Sequence, residues 1–208
     1  MENLNTIGVI LIVNFLGWIT PGPNMLAVMS ASLSHGRAQG LRLALGLSIG
    51  ATLWAGLAVA GAATLFDLVP STMLMLKLVG AAYLIWLGCK SLAAAARRQE
   101  VVVAAEPAPG RGLRQGLIVS LTNPKVALFW GSVMTTAVPA GAPGWFLVLI
   151  VAFCGVLAIC LHSITATVFS TGQAMRVFSR AKRAITTCFG MVFIALGGAV
   201  AWSVLRRS

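Results

Sequence analysis

The feature that most limits how this chain can fold is a helix break inside an apolar run. Thr20-Pro21-Gly22-Pro23-Asn24 interrupts a hydrophobic stretch that starts at about Leu4. Each proline lacks a backbone N–H and clashes with the carbonyl four residues earlier, so a helix cannot pass through unchanged. In water the stretch would read as a turn between two elements. Here Asn14-Phe15-Leu16-Gly17-Trp18-Ile19 precedes it and Met25-Leu26-Ala27-Val28-Met29 follows, and neither side reads as a polar flank. The solvent around the break therefore decides its meaning. The chain is 59% hydrophobic and 9% charged, and its only acids are Glu2, Asp67, Glu100 and Glu106; a soluble domain carries roughly a quarter charged residues. That solvent is a membrane.

A span needs about 20 predominantly apolar residues. Six segments qualify, at about 4–33, 40–65, 72–94, 112–138, 144–170 and 184–204, the first and fifth long enough to be tilted or broken. His35-Gly36-Arg37 marks the first loop, Asp67 to Ser71 the second, and Pro139 to Pro143 a short turn. Residues 95–111 read as a flexible linker and Arg176 to Arg183 as a basic loop. The expected fold class is an all-α polytopic membrane protein of six transmembrane helices.

The net charge of +11 raises the question of a nucleic-acid partner. The bases lie between apolar runs, with no basic stripe alternating with aromatics, which argues against one. Eleven of the 15 Lys and Arg lie in or beside the loops after spans 1, 3 and 5, so those loops are expected to be cytoplasmic. Arg206 and Arg207 break that pattern. The N-terminus has no basic region before Arg37 and does not read as a signal peptide. Cys89, Cys154, Cys160 and Cys188 fall inside apolar segments without C-x-x-C spacing, and are expected to be small core residues.

Three spans on each side of the linker give two halves of opposite orientation: 1–94, then 95–111 as cytoplasmic linker, then 112–208. Span 4 carries a second break, Leu121-Thr122-Asn123-Pro124-Lys125, near midplane like the first. Spans 3 and 6 share a weak echo, Gly80-Ala81-Ala82-Tyr83-Leu84 beside Gly190-Met191-Val192-Phe193-Ile194. Paired interrupted segments in corresponding positions of two halves point to a transporter site at the midplane. Inverted three-helix repeats, with helices 1 and 4 broken, are the expected architecture.

Unpaired backbone groups survive at membrane depth only inside protein or beside a water-filled cavity. Pro21, Pro23 and Pro124 should free the carbonyls of Gly17, Ile19 and Ser120. The half-helices restarting near Met25 and after Pro124 should present orphan N–H groups with a partial positive charge. Such a site suits a zwitterion, and Thr20, Asn24, Thr122 and Asn123 add neutral donors and acceptors. Proline kinks re-satisfied by neighbouring helices are the bland alternative.

Lys125 is the one base expected near midplane, where a charge costs roughly 2.5–3.5 kcal/mol on insertion scales. A substrate carboxylate neutralises it, or carbonyls solvate it, or it sheds its proton, or it snorkels to a surface. Lys77, near Asp67, is expected to snorkel or pair. His162 could line the path or relay protons, although a lone His among apolar residues is more often packing. Trp54, Trp86 and Trp130 read first as packing residues, with Trp54 and Trp130 as candidate lining. Gly46-x-x-x-Gly50 permits close helix approach.

These residues resemble a known family. Thr20-Pro21-Gly22-Pro23-Asn24, Ser34-His35-Gly36-Arg37 with Gly40, Gly80-Ala81-Ala82-Tyr83-Leu84-Ile85-Trp86-Leu87-Gly88 and Leu121-Thr122-Asn123-Pro124-Lys125 are similar to motifs of the LysE/RhtB amino-acid exporters, in the expected order along nearly the whole chain. The resemblance implies a secondary exporter in the bacterial cytoplasmic membrane, driven by the proton-motive force, with no cofactor. It implies an amino-acid substrate, membrane lipids around the chain, and leaves a homo-oligomer open. The family's proline motifs carry a substrate-binding role onto Thr20, Pro21, Gly22, Pro23, Asn24, Thr122, Asn123, Pro124 and Lys125. Some members have an aspartate in span 2, where this chain has Gly50-Ala51-Thr52, or in span 5, where it has only Gly155 to His162. With no acid at that depth, a neutral or small substrate is expected over a dibasic one. A membrane enzyme would need an acid, base or nucleophile constellation, and a metal-ion transporter clustered carboxylate, Cys or His ligands. The sequence offers neither. A passive channel could use the same polar midplane.

Overall fold

The computed structural model of the chain describes residues 2–19, 22–68, 72–97, 110–138 and 141–206. Every regular element among them is helical: α1 (Glu2–Ile19), α2 (Pro23–Leu68), α3 (Thr72–Ala96), α4 (Gly112–Thr122), α5 (Pro124–Ala137), α6 (Gly144–Val168) and α7 (Gly172–Leu205). The helix boundaries follow the backbone chemistry of the breaks. Helix α1 stops ahead of the proline motif. Helices α2 and α5 both start on a proline, at the position where a missing N–H costs nothing.

Helix α2 has 46 residues and would reach about 69 Å if straight. It reverses instead at Gly36, whose φ of 78° and ψ of 172° lie where only glycine is unstrained. The two arms then fold onto each other. Ala27, Val28 and Ala31 pack with Leu43, Ala44 and Leu47, and Gly40 leaves room for the Ser32 side chain. The first loop expected at His35-Gly36-Arg37 is thus a single-residue reversal.

Small residues set the remaining crossings. Gly112 sits against Gln39 and Arg42, Gly116 against Leu43 and Leu47, and Gly50 against Ser120, so α4 runs parallel to the second arm of α2 with backbones in contact. Gly88 meets Gly190, and Gly197 meets Ala81 and Ile85, so α3 and α7 run antiparallel. In hydrocarbon no hydrophobic force pulls helices together, and close backbone approach supplies packing instead. Large side chains on the outer surfaces, such as Leu57, Val79, Val148, Val156 and Met191, are exposed, as lipid-facing residues must be. The main core gathers Ile10, Phe129, Trp130, Met134, Phe146, Ile150 and Phe193 from four helices.

Helices α3, α6 and α7 and a stretch of α2 are each long and apolar enough to cross a membrane. The pair α4–α5, bent by 63° across Asn123, makes a fifth candidate when taken as one span. Two expectations need correction. Arg176 to Arg183, expected as a loop before a span at 184, is helical and belongs to α7. Phe178 is buried beside Phe169, Met25 and Met29, while Arg176, Arg180 and Arg183 point outward. That amphipathic pattern, with Thr171 accepting from the Ala174 N–H, starts the helix at Gly172. Of the four cysteines, only Cys154 is a core residue; Cys89, Cys160 and Cys188 are exposed, and all are free. Trp86 also faces outward, with the Lys90 ammonium 4.8 Å over its ring, and Arg206 stacks likewise on Trp202. The side chains of Asp67 and Lys77 lie outside the described residues.

A Cβ at Gly116 would run into the Leu43 carbonyl. Gly116→Leu should therefore destabilise the protein by about 2 kcal/mol or more, seen as a lower thermal midpoint in detergent, whereas Gly131→Leu, which meets open space, should not.

Candidate functional site

The two breaks meet at a hydrogen bond. Asn123 caps α5, its Oδ1 accepting from the Lys125 N–H at 3.0 Å. That contact turns its amide nitrogen toward α2, where it donates to Asn24 Oδ1 at 2.8 Å. The orientation of one amide so fixes the other. Asn24 is left with its Nδ2, which has two donors, on the side of a cavity of about 100 Å³.

Four helices line this cavity. Helix α1 contributes Asn14, Gly17 and Trp18, and α2 contributes Pro23, Asn24, Met25 and Ala51 beside Gly22. From α5 come Lys125, Val126, Phe129 and Trp130, with Asn123 at its start, and from α6 Ala158, Leu161 and His162. Most of the wall is apolar. Its polar groups are few and convergent, as in a typical small-molecule site. Lys125 is half-buried and is the one base on the lining among the described residues.

Neighbouring contacts hold the walls in place. Trp18 Nε1 donates to Thr165 Oγ1 at 2.8 Å, tying α1 to α6. Tyr83 on α3 donates its hydroxyl to the Lys125 carbonyl at 3.3 Å. His162 Nδ1 lies 2.9 Å from the Ala158 carbonyl and 3.3 Å from Ser48 Oγ, joining α6 to α2. Asn14 is buried and donates back to the Ile10 carbonyl at 2.9 Å.

Several expected residues are brought together here: Gly22, Pro23, Asn24, Asn123, Lys125, Trp130 and His162. Thr20 and Pro21 lie outside the described residues. Pro124 starts α5 exposed and off the lining, and Thr122 turns outward, its hydroxyl donating to the Ile118 carbonyl at 2.8 Å. Trp54 is off the lining and packs into the main core, its indole nitrogen buried without a partner among the described residues. Two backbone expectations are corrected. The Ser120 carbonyl is not free, because the Asn123 N–H closes on it at 3.3 Å. The first N–H groups of α5 are not orphans either: Asn123 takes Lys125 through its side chain and Val126 through its carbonyl. Asn14 and Trp18 were missed. Polarity in the middle of an apolar helix was the available signal for Asn14; nothing in sequence distinguishes Trp18 from a packing tryptophan.

The sequence profile of LysE type translocators matches residues 15–203. The chain belongs to the LysE type translocator family. Among its relatives, a protein named leucine efflux protein from Klebsiella pneumoniae is 30% identical over 191 residues, 88% of this chain and 88% of that protein. A threonine efflux protein from Escherichia coli is 26% identical, covering 89% of this chain and 92% of its own length. A membrane protein from Haemophilus influenzae is 28% identical over 90% of this chain and 92% of its own length. No solved structure matches the chain. The chain is thus a multi-pass membrane protein of a translocator family.

Asn123→Ala removes both the cap of α5 and the tie to Asn24. It should cost about 1 kcal/mol or somewhat more, read as a lower melting temperature, whereas Thr122→Val on the outer side of the bend should cost less.

Proposed function

We propose that this protein exports a neutral or small amino acid across the bacterial cytoplasmic membrane by alternating access, coupled to the proton-motive force. The observation that carries this reading is the cavity where the two breaks meet, with Lys125 and Asn24 on one wall. The substrate carboxylate lies against the Lys125 ammonium and the spare Asn24 Nδ2 donors. Gly22, Pro23 and Asn123 form the backbone of that wall. Thr20 and Pro21 complete the first break; Thr122 and Pro124 act by bending the second. Trp130 packs the cavity, and Trp54 supports it from the core. The relatives named for leucine and threonine efflux support an amino-acid cargo.

In this reading α1 with the first arm of α2 makes span 1, and the second arm of α2 makes span 2. Helices α3, α4–α5, α6 and α7 make spans 3 to 6. Residues 1–94 and 112–208 then form inverted repeats joined by the cytoplasmic linker 95–111. The parallel α2–α4 and antiparallel α3–α7 crossings support that arrangement. The loops after spans 1, 3 and 5 are cytoplasmic. Lys90 and Arg206 then face opposite sides, Arg206 remaining the exception to the charge rule. The halves rock about the cavity, opening it alternately.

In vesicles, labelled leucine should accumulate against its gradient, and an uncoupler should collapse the accumulation; persistence of equilibrative flux alone would make the protein a channel. Arginine should be a poor substrate, and a clear preference for it would sink the neutral-substrate reading. Lys125→Met should reduce export at least about tenfold with normal membrane insertion. Single cysteines at Ser179 and Ala142 should react with an impermeant maleimide from opposite sides.

A further inference from the structure

A zwitterion whose carboxylate faces Lys125 also brings an ammonium group into a mostly apolar cavity, and that group needs acceptors. The polar atoms on the lining can be accounted for one by one. Asn123 Oδ1 is used by the Lys125 N–H and Asn24 Oδ1 by Asn123. Thr165 Oγ1, just behind the wall, takes the Trp18 indole and gives its own proton to Leu161. Each of those oxygens is already engaged once, whereas two side chains carry an acceptor with no hydrogen bond among the described residues.

The first is His162. The Ala158 carbonyl can only accept, so Nδ1 carries a hydrogen. The Ser48 hydroxyl gives its proton to the Ala44 carbonyl at 2.8 Å, so it too meets Nδ1 as an acceptor. In the uncharged ring the remaining nitrogen, Nε2, is then an acceptor. Nε2 has no hydrogen bond among the described residues. The second is Asn14, whose Nδ2 is committed to the Ile10 carbonyl, leaving Oδ1. The Trp18–Thr165 bond ties α1 to α6, and one turn earlier on each helix stand Asn14 and Leu161, the latter next to His162. Asn14, Trp18, Leu161 and His162 line the same cavity.

We infer that His162 Nε2 and Asn14 Oδ1 form the subsite for the substrate's α-ammonium group, in the cavity that Lys125 also lines. The inference rests on the amino-acid reading above. It gives His162 a binding role and ties selection for an amine to the contact between α1 and α6. Both acceptors are neutral, so the subsite takes an ammonium without demanding a second positive charge on the side chain.

The test compares leucine with 4-methylpentanoate, which is leucine without its amine, by calorimetric binding to the purified protein in detergent. His162→Asn keeps a donor for Ala158 and removes Nε2; Asn14→Ala removes the second acceptor. Each variant should weaken leucine binding about tenfold or more while leaving 4-methylpentanoate within about twofold of its wild-type affinity. Equal weakening of both compounds would mean a packing role, and unchanged leucine affinity would remove the side chain from recognition; either result overturns the proposal. A wild-type protein that binds both compounds equally has no ammonium subsite, although its carboxylate site would stand. If it binds neither, the amino-acid reading of the cavity fails and takes the subsite with it.

Discussion

The fold depends on one constraint: in hydrocarbon, every backbone group freed by a break must find a partner. The chain interrupts its helices at two proline motifs and solves the problem at the second with a single side chain. Asn123 caps α5 with its oxygen and reaches Asn24 with its nitrogen, while its own N–H closes on Ser120. A stretch that proline would leave exposed becomes a fixed joint between α2 and α5. The same joint orients Asn24, so local helix capping and the polarity of the cavity wall are one arrangement. Deleting the cap would alter both.

The packing around that joint is uneven. Helix α4 lies against α2 with glycine-to-backbone contact along its length. Helix α1, at the first break, is held to α6 by the Trp18–Thr165 bond and to α5 by Gly17 lying against the Phe129 ring. One break is thus clamped by backbone contact and the other by side chains. Side-chain contacts can exchange without separating two backbones, which makes the α1 side of the cavity the cheaper one to move.

The cavity departs from an ordinary core in the way binding sites do. A core would pair each polar group and keep charge out. Here Lys125 is half-buried within a mostly apolar lining that also holds Asn14 and His162. Such groups are costly at membrane depth unless a ligand meets them.

Much of this was legible in the sequence because the rules involved are local. Apolar run length marked a chain that crosses the membrane several times, Gly36 the reversal, and Pro23 and Pro124 the helix restarts, since proline acts on the backbone wherever it stands. Asn24, Asn123 and Lys125 were visible as polar groups beside those breaks. Amphipathic continuity of Arg176 to Arg183 was not, because the cluster that buries Phe178 includes Met25 and Met29, distant in the chain, besides Phe169. The outward turn of Thr122 was equally hidden, its hydroxyl having a carbonyl of its own helix to bond. Sequence by itself determined that the chain is helical, membrane-bound and interrupted at two proline motifs, because propensity, length and proline chemistry need no partners. Only the tertiary structure decided that the breaks meet through Asn24 and Asn123, and that Asn14, Trp18 and His162 share their cavity. Contacts between residues a hundred positions apart are made by helix packing, and no local rule records them.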